Sequence, residues 1–366
     1  MNTKIKDITN LIEDFAPLSL QESYDNAGLI IGDADVTASG ALVTLDVSDQ
    51  VVDEAIKLGF NLILAHHPLI FKGLKKIDTN NMVGRLVSRC IKNDIAIYAA
   101  HTNLDNVKAG VNRMICDRLG LKRVKILSAK ENLLRKLVVF CPENSAPAVR
   151  EAIFEAGAGH IGNYDSCSFN AAGYGTFRAL EGANPFVGET NKLHRENELR
   201  MEFIIPQYRQ SAVINAMILS HPYEEVAYDI YPIDNMFENI GAGMIGELNE
   251  PEDADKFLAR LKRTFDAGCI RHTKIVKDKV KRIAVCGGSG SFLISRAMAA
   301  GADIYISGDI KYHEFFDADN KIIVADIGHY ESEQFTKELL MNLVKKKFST
   351  FAVQISGVNT NPINYL

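Results

Sequence analysis

Asn61-Leu62-Ile63-Leu64-Ala65-His66-His67-Pro68 is an apolar run that stops abruptly at two adjacent histidines and a proline. A short run of this kind predicts a buried strand, and Pro68 ends it because proline has no N–H to donate to a neighbouring strand. The two imidazoles should therefore lie at the end of the strand. Ligands collect at the carboxyl ends of strands in α/β sheets, so the stretch predicts one side of a metal site.

Length and composition indicate a globular protein with more than one domain. The chain has 366 residues, of which 47% are hydrophobic, so it can bury a substantial core. Its net charge of -5 offers no general attraction to nucleic acid or to an acidic membrane surface. Residues 1–15 lack the continuous apolar core of a signal peptide, and no stretch is long enough to span a membrane.

The six cysteines indicate a reducing compartment. They lie at least 17 residues apart, which leaves no CxxC-type pair for a zinc knuckle. Free cysteine behaves as a small hydrophobe, so we expect buried thiols. The pattern predicts a cytoplasmic protein.

The flanking sequence alternates between strand and helix patterns. This alternation implies βαβ units and a largely parallel sheet in an α/β fold. Thr3 is the expected N-cap of the first helix, and Ser48 and Gly59 should bound the second. The predicted strands are 41–47, 61–65 and 95–99, and the predicted helices are 3–16, 48–59, 80–92 and 110–119.

A different order of elements occupies residues 133–240. Strand, helix, strand, strand, helix and strand follow one another there, which is the ferredoxin-like βαββαβ arrangement. The first pattern then resumes, with helices at 254–265, 292–300 and 331–347 and strands at 282–286, 304–307 and 322–325. The sequence therefore predicts an outer α/β domain split into residues 1–132 and 241–366, with residues 133–240 inserted as a second domain.

Polar side chains follow two further predicted strands of the outer domain. His101 and Asp105 come after the strand that ends at Ala99. His329 and Glu333 are four residues apart at the start of a helix, so both side chains leave the same face.

With His66 and His67 these residues form a set of nitrogen and oxygen donors, which suits zinc, manganese, iron or cobalt. Six donors exceed the needs of one tetrahedral ion, so the set predicts two adjacent ions. The alternative is that they are separate hydrogen-bonded residues at loop starts.

Four other features are candidate parts of a site. Two of them allow two interpretations, and for the other two we expect a structural role. Asp46 is either an acid behind the metal ligands or a cap of the next helix. The glycine-rich residues 286–291 form a tight turn or a phosphate cradle. Residues 221–225 carry His221 and two glutamates, for which we expect a structural role rather than a second metal. Lys345-Lys346-Lys347 complements the dipole of the last helix, without need of nucleic acid.

Three of these stretches, residues 64–71, 101–105 and 328–333, closely resemble the motifs of the NIF-three-like family, whose members are called GTP cyclohydrolase 1 type 2 homologs. Residues 24–29 and 308–313 also resemble family elements, although Tyr24 stands where many relatives have Trp. The resemblance covers essentially the whole chain. The inserted domain is similar to the PII signal-transduction proteins and to the CutA family.

This resemblance implies a dinuclear metal centre in a toroidal homohexamer. The positions that match the family's ligands are His66, His67, Asp105, His329 and Glu333, with Glu333 as the bridging ligand. His101 and His313 match positions that line the centre and are the candidate proton carriers. Two divalent cations are implied, zinc first, with manganese, iron or cobalt as alternatives.

Three functional hypotheses follow. The leading one is a hydrolase in which two cations share an activated water, with a nucleotide-like substrate expected from the family name alone. The second is a hexameric metal-binding scaffold or sensor whose inserted domain binds a small effector or a protein partner. The third is an adaptor that binds another protein. No membrane or nucleic-acid partner is indicated.

Overall fold

The computed structural model describes residues 3–366, which form two compact units. Unit 1 combines residues 3–129 with Glu238–Leu366, and unit 2 is Lys130–Phe237. The predicted insertion limits, 133 and 240, each lie three residues beyond these breaks. The outer part of the chain is therefore interrupted, and its two segments fold together.

Helices and strands alternate through most of the chain. The helices are α1 (Ile5–Phe15), α2 (Asp49–Leu58), α3 (Met82–Lys92), α4 (Thr102–Asn106), α5 (Val111–Arg118), α6 (Ala146–Glu155), α7 (Gln210–Ser220), α8 (Ala254–Thr264), α9 (Ile294–Ala299), α10 (His329–Glu333) and α11 (Thr336–Lys347). The strands are β1 (Gly28–Ile31), β2 (Ala41–Thr44), β3 (Leu62–Ala65), β4 (Ala96–Ala99), β5 (Lys122–Lys130), β6 (Leu134–Pro142), β7 (Phe169–Arg178), β8 (Leu193–Pro206), β9 (Tyr228–Ile233), β10 (Phe237–Asp253), β11 (Arg271–His272), β12 (Lys279–Ser289), β13 (Ile304–Gly308), β14 (Ile323–Asp326) and β15 (Val353–Ile355).

The first sheet of unit 1 has five strands in the order β1-β4-β3-β2-β15. Strands β15, β2, β3 and β4 are parallel, and β1 joins the edge antiparallel to β4. Every residue of β3 is buried, as the apolar run before His66 predicts for a strand covered on both faces. His66 therefore follows directly on the end of a central strand.

The second sheet of unit 1 has six strands in the order β11-β14-β13-β12-β10-β5. Its centre, β12-β13-β14, is parallel, and β10 and β11 are antiparallel to their neighbours. The predicted α/β class is confirmed, but the parallel strands are shared between two sheets. The sequence prediction does not include strand β10. A Cβ at Gly241 would lie 2.1 Å from the Ser128 oxygen, so glycine there permits close approach of β5.

Two helix boundaries test the sequence interpretation. Ser48 caps α2 by accepting the Val51 N–H at 3.3 Å, and Gly59 closes the helix with φ of 69°, both as predicted. The N-cap of α1 is Lys4 rather than Thr3, because the Asp7 carboxylate accepts the Lys4 N–H at 2.8 Å. The single helix predicted over 331–347 is two helices, α10 and α11.

Unit 2 has the predicted ferredoxin-like topology. Its elements run β6-α6-β7-β8-α7-β9, and the four-stranded sheet has the order β7-β8-β6-β9. Apolar side chains of α6 and α7 pack on one face of the sheet. This core includes Val149, Ile153, Val213, Met217, Leu137, Val139, Met201 and Phe203.

Most thiols are buried, as predicted, but Cys269 is exposed and Cys167 is half-buried. Cys269 lies in the connection between α8 and β11, outside any apolar core. Within residues 3–366 we find no helix long and apolar enough to cross a bilayer.

Candidate metal centre

Three segments that follow strands supply the candidate ligands. His66 and His67 follow β3, Asp105 lies on α4 after β4, and α10 carries His329 and Glu333 after β14. The structure gathers His66, His67 and Glu333 so closely that one ligand atom from each lies within 4.8 Å of the others. Such a group can hold a metal ion.

His66 is fully buried and oriented by the backbone. Its Nδ1–H donates to the Ala100 carbonyl oxygen at 2.7 Å, and since a carbonyl can only accept, the lone pair is on Nε2. That Nε2 lies 3.7 Å from Asp105 Oδ1 and 3.7 Å from Glu333 Oε1. The free nitrogen therefore faces two carboxylates.

His67, His329 and Glu333 form the second half of the group. Glu333 Oε2 lies 3.0 Å from His67 Nε2 and 3.1 Å from His329 Nε2, and the two imidazole nitrogens are 3.3 Å apart. Each oxygen of the buried Glu333 carboxylate thus faces a different part of the donor set. This arrangement is consistent with a carboxylate that serves both halves of the centre.

Two buried atoms of the centre have no hydrogen-bond partner among the described residues. They are His66 Nε2 and Asp105 Oδ1. An unsatisfied buried polar atom costs about 1–3 kcal/mol, and both atoms are acceptors once Asp105 is ionised. A divalent cation satisfies both at once, so the residues present fit a metal ion.

Each imidazole is held from behind by an acceptor on its Nδ1, as is usual for metal-binding histidines. Asp46 Oδ1 accepts from His67 at 2.8 Å and Asp309 Oδ2 accepts from His329 at 2.7 Å. Of the two interpretations of Asp46, the structure supports the acid behind the ligands. Asp309 and its role were missed, although it lies in the 308–313 stretch that resembled the family.

The carboxylates of the centre also control its protonation. Burial alone would lower the pKa of His67, but the hydrogen bonds that it donates to Asp46 and Glu333 outweigh this effect and raise that pKa to about 10. Burial also opposes protonation of His329, yet the Glu333 charge and the Asp309 hydrogen bond raise its pKa to about 11. Burial raises the pKa of Asp105 well above its usual value. A metal ion must therefore displace protons to bind.

The glycine-rich stretch packs against the centre. A Cβ at Gly288 would lie 2.3 Å from Glu333 Oε1, and the residue has φ of 62°. The N–H groups of Gly287 and Gly288 donate to the Asn112 and Ser332 side chains at 3.0 and 2.9 Å. Because these two donors are occupied, the structure favours close packing behind Glu333 as the role of Gly287 and Gly288 over a phosphate cradle.

His101 and His313 have different positions. His101 lines the cavity above the centre, and its Nδ1 donates to Asp25 Oδ1 at 2.7 Å. Asp25 also accepts from Thr102, so it holds both residues at the start of α4. His313 is exposed on a short 3-10 helix, beside Tyr312, and is not among the residues lining that cavity. The structure therefore does not bring His313 to the centre.

A cavity of about 1230 Å³ opens above the ligands. Arg271 is the only Lys or Arg among its described lining residues, and its guanidinium pairs with Asp326. Seven carboxylates line the same cavity: Glu22, Asp46, Asp105, Asp309, Asp326, Glu331 and Glu333. This excess of negative charge favours the binding of cations.

His221 has a structural role, as expected from the sequence. His221 in unit 2 donates from Nε2 to the Phe140 carbonyl oxygen at 3.1 Å, and its Nδ1 accepts the Tyr223 N–H at 3.1 Å. Both ring nitrogens are used, which leaves none for a metal.

Together, the fold and the site define a class: a split α/β protein with a ferredoxin-like insertion and a histidine and carboxylate centre whose ligands follow parallel strands of two mixed sheets. The chain belongs to the NIF3 family, because the family model Duf34/NIF3 (NGG1p interacting factor 3) matches residues 3–362. The family resemblance inferred from the motifs is thereby confirmed.

Relatives match over nearly the full length. A "GTP cyclohydrolase 1 type 2 homolog" of Halalkalibacterium halodurans is 42% identical over 98% of both chains, and one of Bacillus subtilis is 41% identical over the same share. Among solved structures, a Bacillus cereus protein related to NIF3 has a TM-score of 0.88 and 41% identity over 100% of both chains. Staphylococcus aureus protein SA1388 has a TM-score of 0.78 at 32% identity.

Proposed function

We propose that the chain is a metal-dependent hydrolase with two divalent cations at the centre, zinc first among the candidates. The observation that carries this proposal is the pair of buried acceptors without partners, His66 Nε2 and Asp105 Oδ1, beside the Glu333 carboxylate. The proposed ligands are His66, His67, Asp105, His329 and Glu333. Cations bound there would lower the pKa of a water to about 7 and polarise a substrate oxygen.

His101 is the proposed proton carrier. Its Nδ1 is held by Asp25, so the Nε2 of the same ring is left to exchange a proton with a substrate in the cavity. Asp25 fixes the tautomer and the ring orientation, as a carboxylate behind a catalytic histidine does. Within one chain, His313 has no comparable position.

A nucleotide-like substrate is the proposed class. The relatives are named as homologs of a GTP cyclohydrolase, and a cavity of about 1230 Å³ has room for a nucleotide. Aromatic side chains also line the cavity and offer faces on which a base can stack. These are Tyr24, Phe71, Phe292, Tyr330 and Tyr365.

The test is metal analysis combined with a substrate panel. Glu333→Gln keeps the shape of the side chain but removes the charge shared by both halves, so metal content and turnover should fall together by at least about tenfold. Exposed Glu250→Gln is the matched control and should change neither. Full turnover in protein shown to be free of metal would contradict the proposal.

The scaffold or sensor hypothesis predicts a different result. Chelation would then lower the mass of the assembly, while panels of nucleotides, phosphoesters and amides would show no turnover at any metal content. A homohexamer is part of both proposals, supported by the resemblance and by the exposed aromatic side chains Tyr312 and Phe316 next to His313. Light scattering of the purified protein measures the assembly directly.

A further inference from the structure

A second cavity, of about 780 Å³, lies within unit 2. Met201 of β8 packs into the core beneath the two helices. Side chains alternate along a strand, so Glu198 and Arg200 lie on the opposite face of the sheet. Glu198 pairs with Gly173 across to β7, and both line the cavity. The cavity is therefore on the face of the sheet that the helices leave open.

The floor of this cavity is a buried carboxylate. Glu198 is only 8% exposed, and its Oε1 accepts from the Tyr223 hydroxyl at 3.0 Å. The structure gives Oε2 no hydrogen-bond donor among residues 3–366. A Cβ at Gly175 would lie 2.2 Å from that Oε2, so the glycine makes the room that the carboxylate occupies. Half of the hydrogen-bonding capacity of Glu198 is thus open to a ligand.

The walls beside the carboxylate are aromatic. The Phe177 and Phe186 rings lie 6.1 and 6.3 Å from the Tyr223 ring. Phe186 belongs to the loop after β7. The Asn184 N–H of this loop donates to Glu224 at 2.9 Å, which fixes the position of the loop. Aromatic faces attract cations through their quadrupole, and a carboxylate attracts them by charge.

The remaining charges of the lining disfavour an anion. Glu224 and Glu225 add two carboxylates to Glu198. Of the two arginines that line the cavity, Arg200 is paired with Glu202 at 3.0 Å. Arg178, at the end of β7, is the other.

We propose that this cavity binds a small organic cation, an amine with an apolar or aromatic body, with the ammonium on Glu198 and the body between the aromatic rings. The site lies wholly in unit 2 and does not depend on the hydrolase proposal. It gives the inserted unit a ligand-binding role of its own.

Gly173 offers a way to close the cavity without disturbing the protein. A Cβ there would meet nothing within 4 Å, and the backbone is that of an ordinary strand residue. Valine suits an exposed strand position and would project into the cavity opposite Glu198. Gly173→Val should therefore fill the space of the ligand while the fold is kept.

The experiment is calorimetric titration of the full chain with phenethylammonium, with neutral 2-phenylethanol and anionic phenylacetate as matched probes. We expect the cation to bind about tenfold more tightly than the neutral probe, equivalent to about 1.4 kcal/mol. Glu198→Gln should abolish that preference, and Gly173→Val should abolish binding. Glu196→Gln is the control, because Glu196 lies on the same strand face but pairs with His194 and does not line the cavity.

Melting curves should show that all three variants are folded, with Gly173→Ala as a milder substitute for the valine. Glu333→Gln should leave the titration unchanged, which separates this site from the acidic cavity of unit 1. The proposal is overturned if no probe binds, if the cation binds no better than the alcohol, or if its preference survives Glu198→Gln.

Discussion

At the residue scale, single acceptors determine how the candidate ligands are presented. The Ala100 carbonyl directs Nε2 of His66 towards the centre, and the Asp46 and Asp309 carboxylates do the same for His67 and His329. None of the three needs a rotamer change to face the centre. The donor set is thus organised before any ion arrives.

Asp25 provides a prediction on acid stability. Burial opposes its ionisation, but the hydrogen bonds from His101 and Thr102 lower its pKa from 3.8 to about 2. The unfolded chain then binds the proton more tightly, so this contribution to stability is complete above pH 4 and is lost as the pH falls towards 2. Asp25→Asn should lower the free energy of unfolding at pH 7 by about 1–3 kcal/mol and flatten its pH dependence in that window.

Urea denaturation between pH 2.5 and 7 measures both effects. Asp278→Asn, at an exposed position of the same unit, is the control and should leave the profile unchanged. An Asp25→Asn profile that runs parallel to that of the parent protein would show that Asp25 has no such role.

Gly288 provides a prediction on the metal centre. An alanine there brings its Cβ to 2.3 Å from Glu333 Oε1 and must also adopt φ of 62°. We expect Gly288→Ala to lose metal and to destabilise the protein by about 1–3 kcal/mol. Gly59→Ala has nearly the same φ, 69°, with nothing within 4 Å, so it isolates the backbone cost and should keep its metal. Equal metal content in the two variants would refute the packing argument.

At the element scale, the sequence predicted the parts whose signal is local. The apolar runs identified β3, β4 and β14, and the polar residues after them identified the candidate metal ligands. Both signals are local, because a strand and its end depend on neighbouring residues. Asp25 could not be assigned to His101, 76 residues away, nor Thr360 to Asp46, 314 residues away. Such pairs exist only through tertiary packing, as does the pairing of β10 with β12.

The segment after β15 donates hydrogen bonds to three carboxylates of unit 1. The Ser356 hydroxyl donates to Glu54 at 2.5 Å, the Thr360 hydroxyl donates to Asp46 at 3.0 Å, and Asn361 donates to Glu331 at 3.1 Å. Through Asp46, Thr360 is two hydrogen bonds from His67. This makes Thr360 a positioning residue rather than a ligand.

Thr360→Val, which keeps the shape but removes the hydroxyl, should weaken metal binding about 10–100-fold. Thr360→Ser keeps the donor and should restore most of the affinity. Competition with a chelator measures the affinity, and the absorption spectrum of the cobalt-loaded protein reports the ligand geometry. Thr350→Val, at an exposed threonine, is the control. Identical affinities for the valine and serine variants would rule out a role for the hydroxyl.

At the scale of the whole molecule, unit 2 is inserted at a connection between neighbouring strands. Gly241 of β10 lies against Ser128 and Ala129 of β5, and Gly246 lies against Lys122, so the two strands run in opposite directions. Unit 1 therefore needs only a tight turn where unit 2 now stands. The two core clusters of unit 1 beside this connection contain no residue of unit 2.

Replacing residues 130–237 by an Asn-Gly turn should leave unit 1 folded and able to bind metal. Metal content and thermal melting compare the shortened protein with the parent. The same deletion carrying Glu333→Gln should be folded but poor in metal. A soluble, folded deletion protein without metal would mean that unit 2 is required for the centre.

The distance along the chain between His67 and Glu333, 266 residues, also has a consequence for synthesis. At 5–20 residues per second, a ribosome adds Glu333 roughly 13–53 s after His67. All of unit 2 is made in that interval, while the nascent chain carries the two histidines without Glu333, the carboxylate that lies beside both. The full donor set exists only once Glu333 has been added, so an ion that needs all five candidate ligands would bind after that point of synthesis.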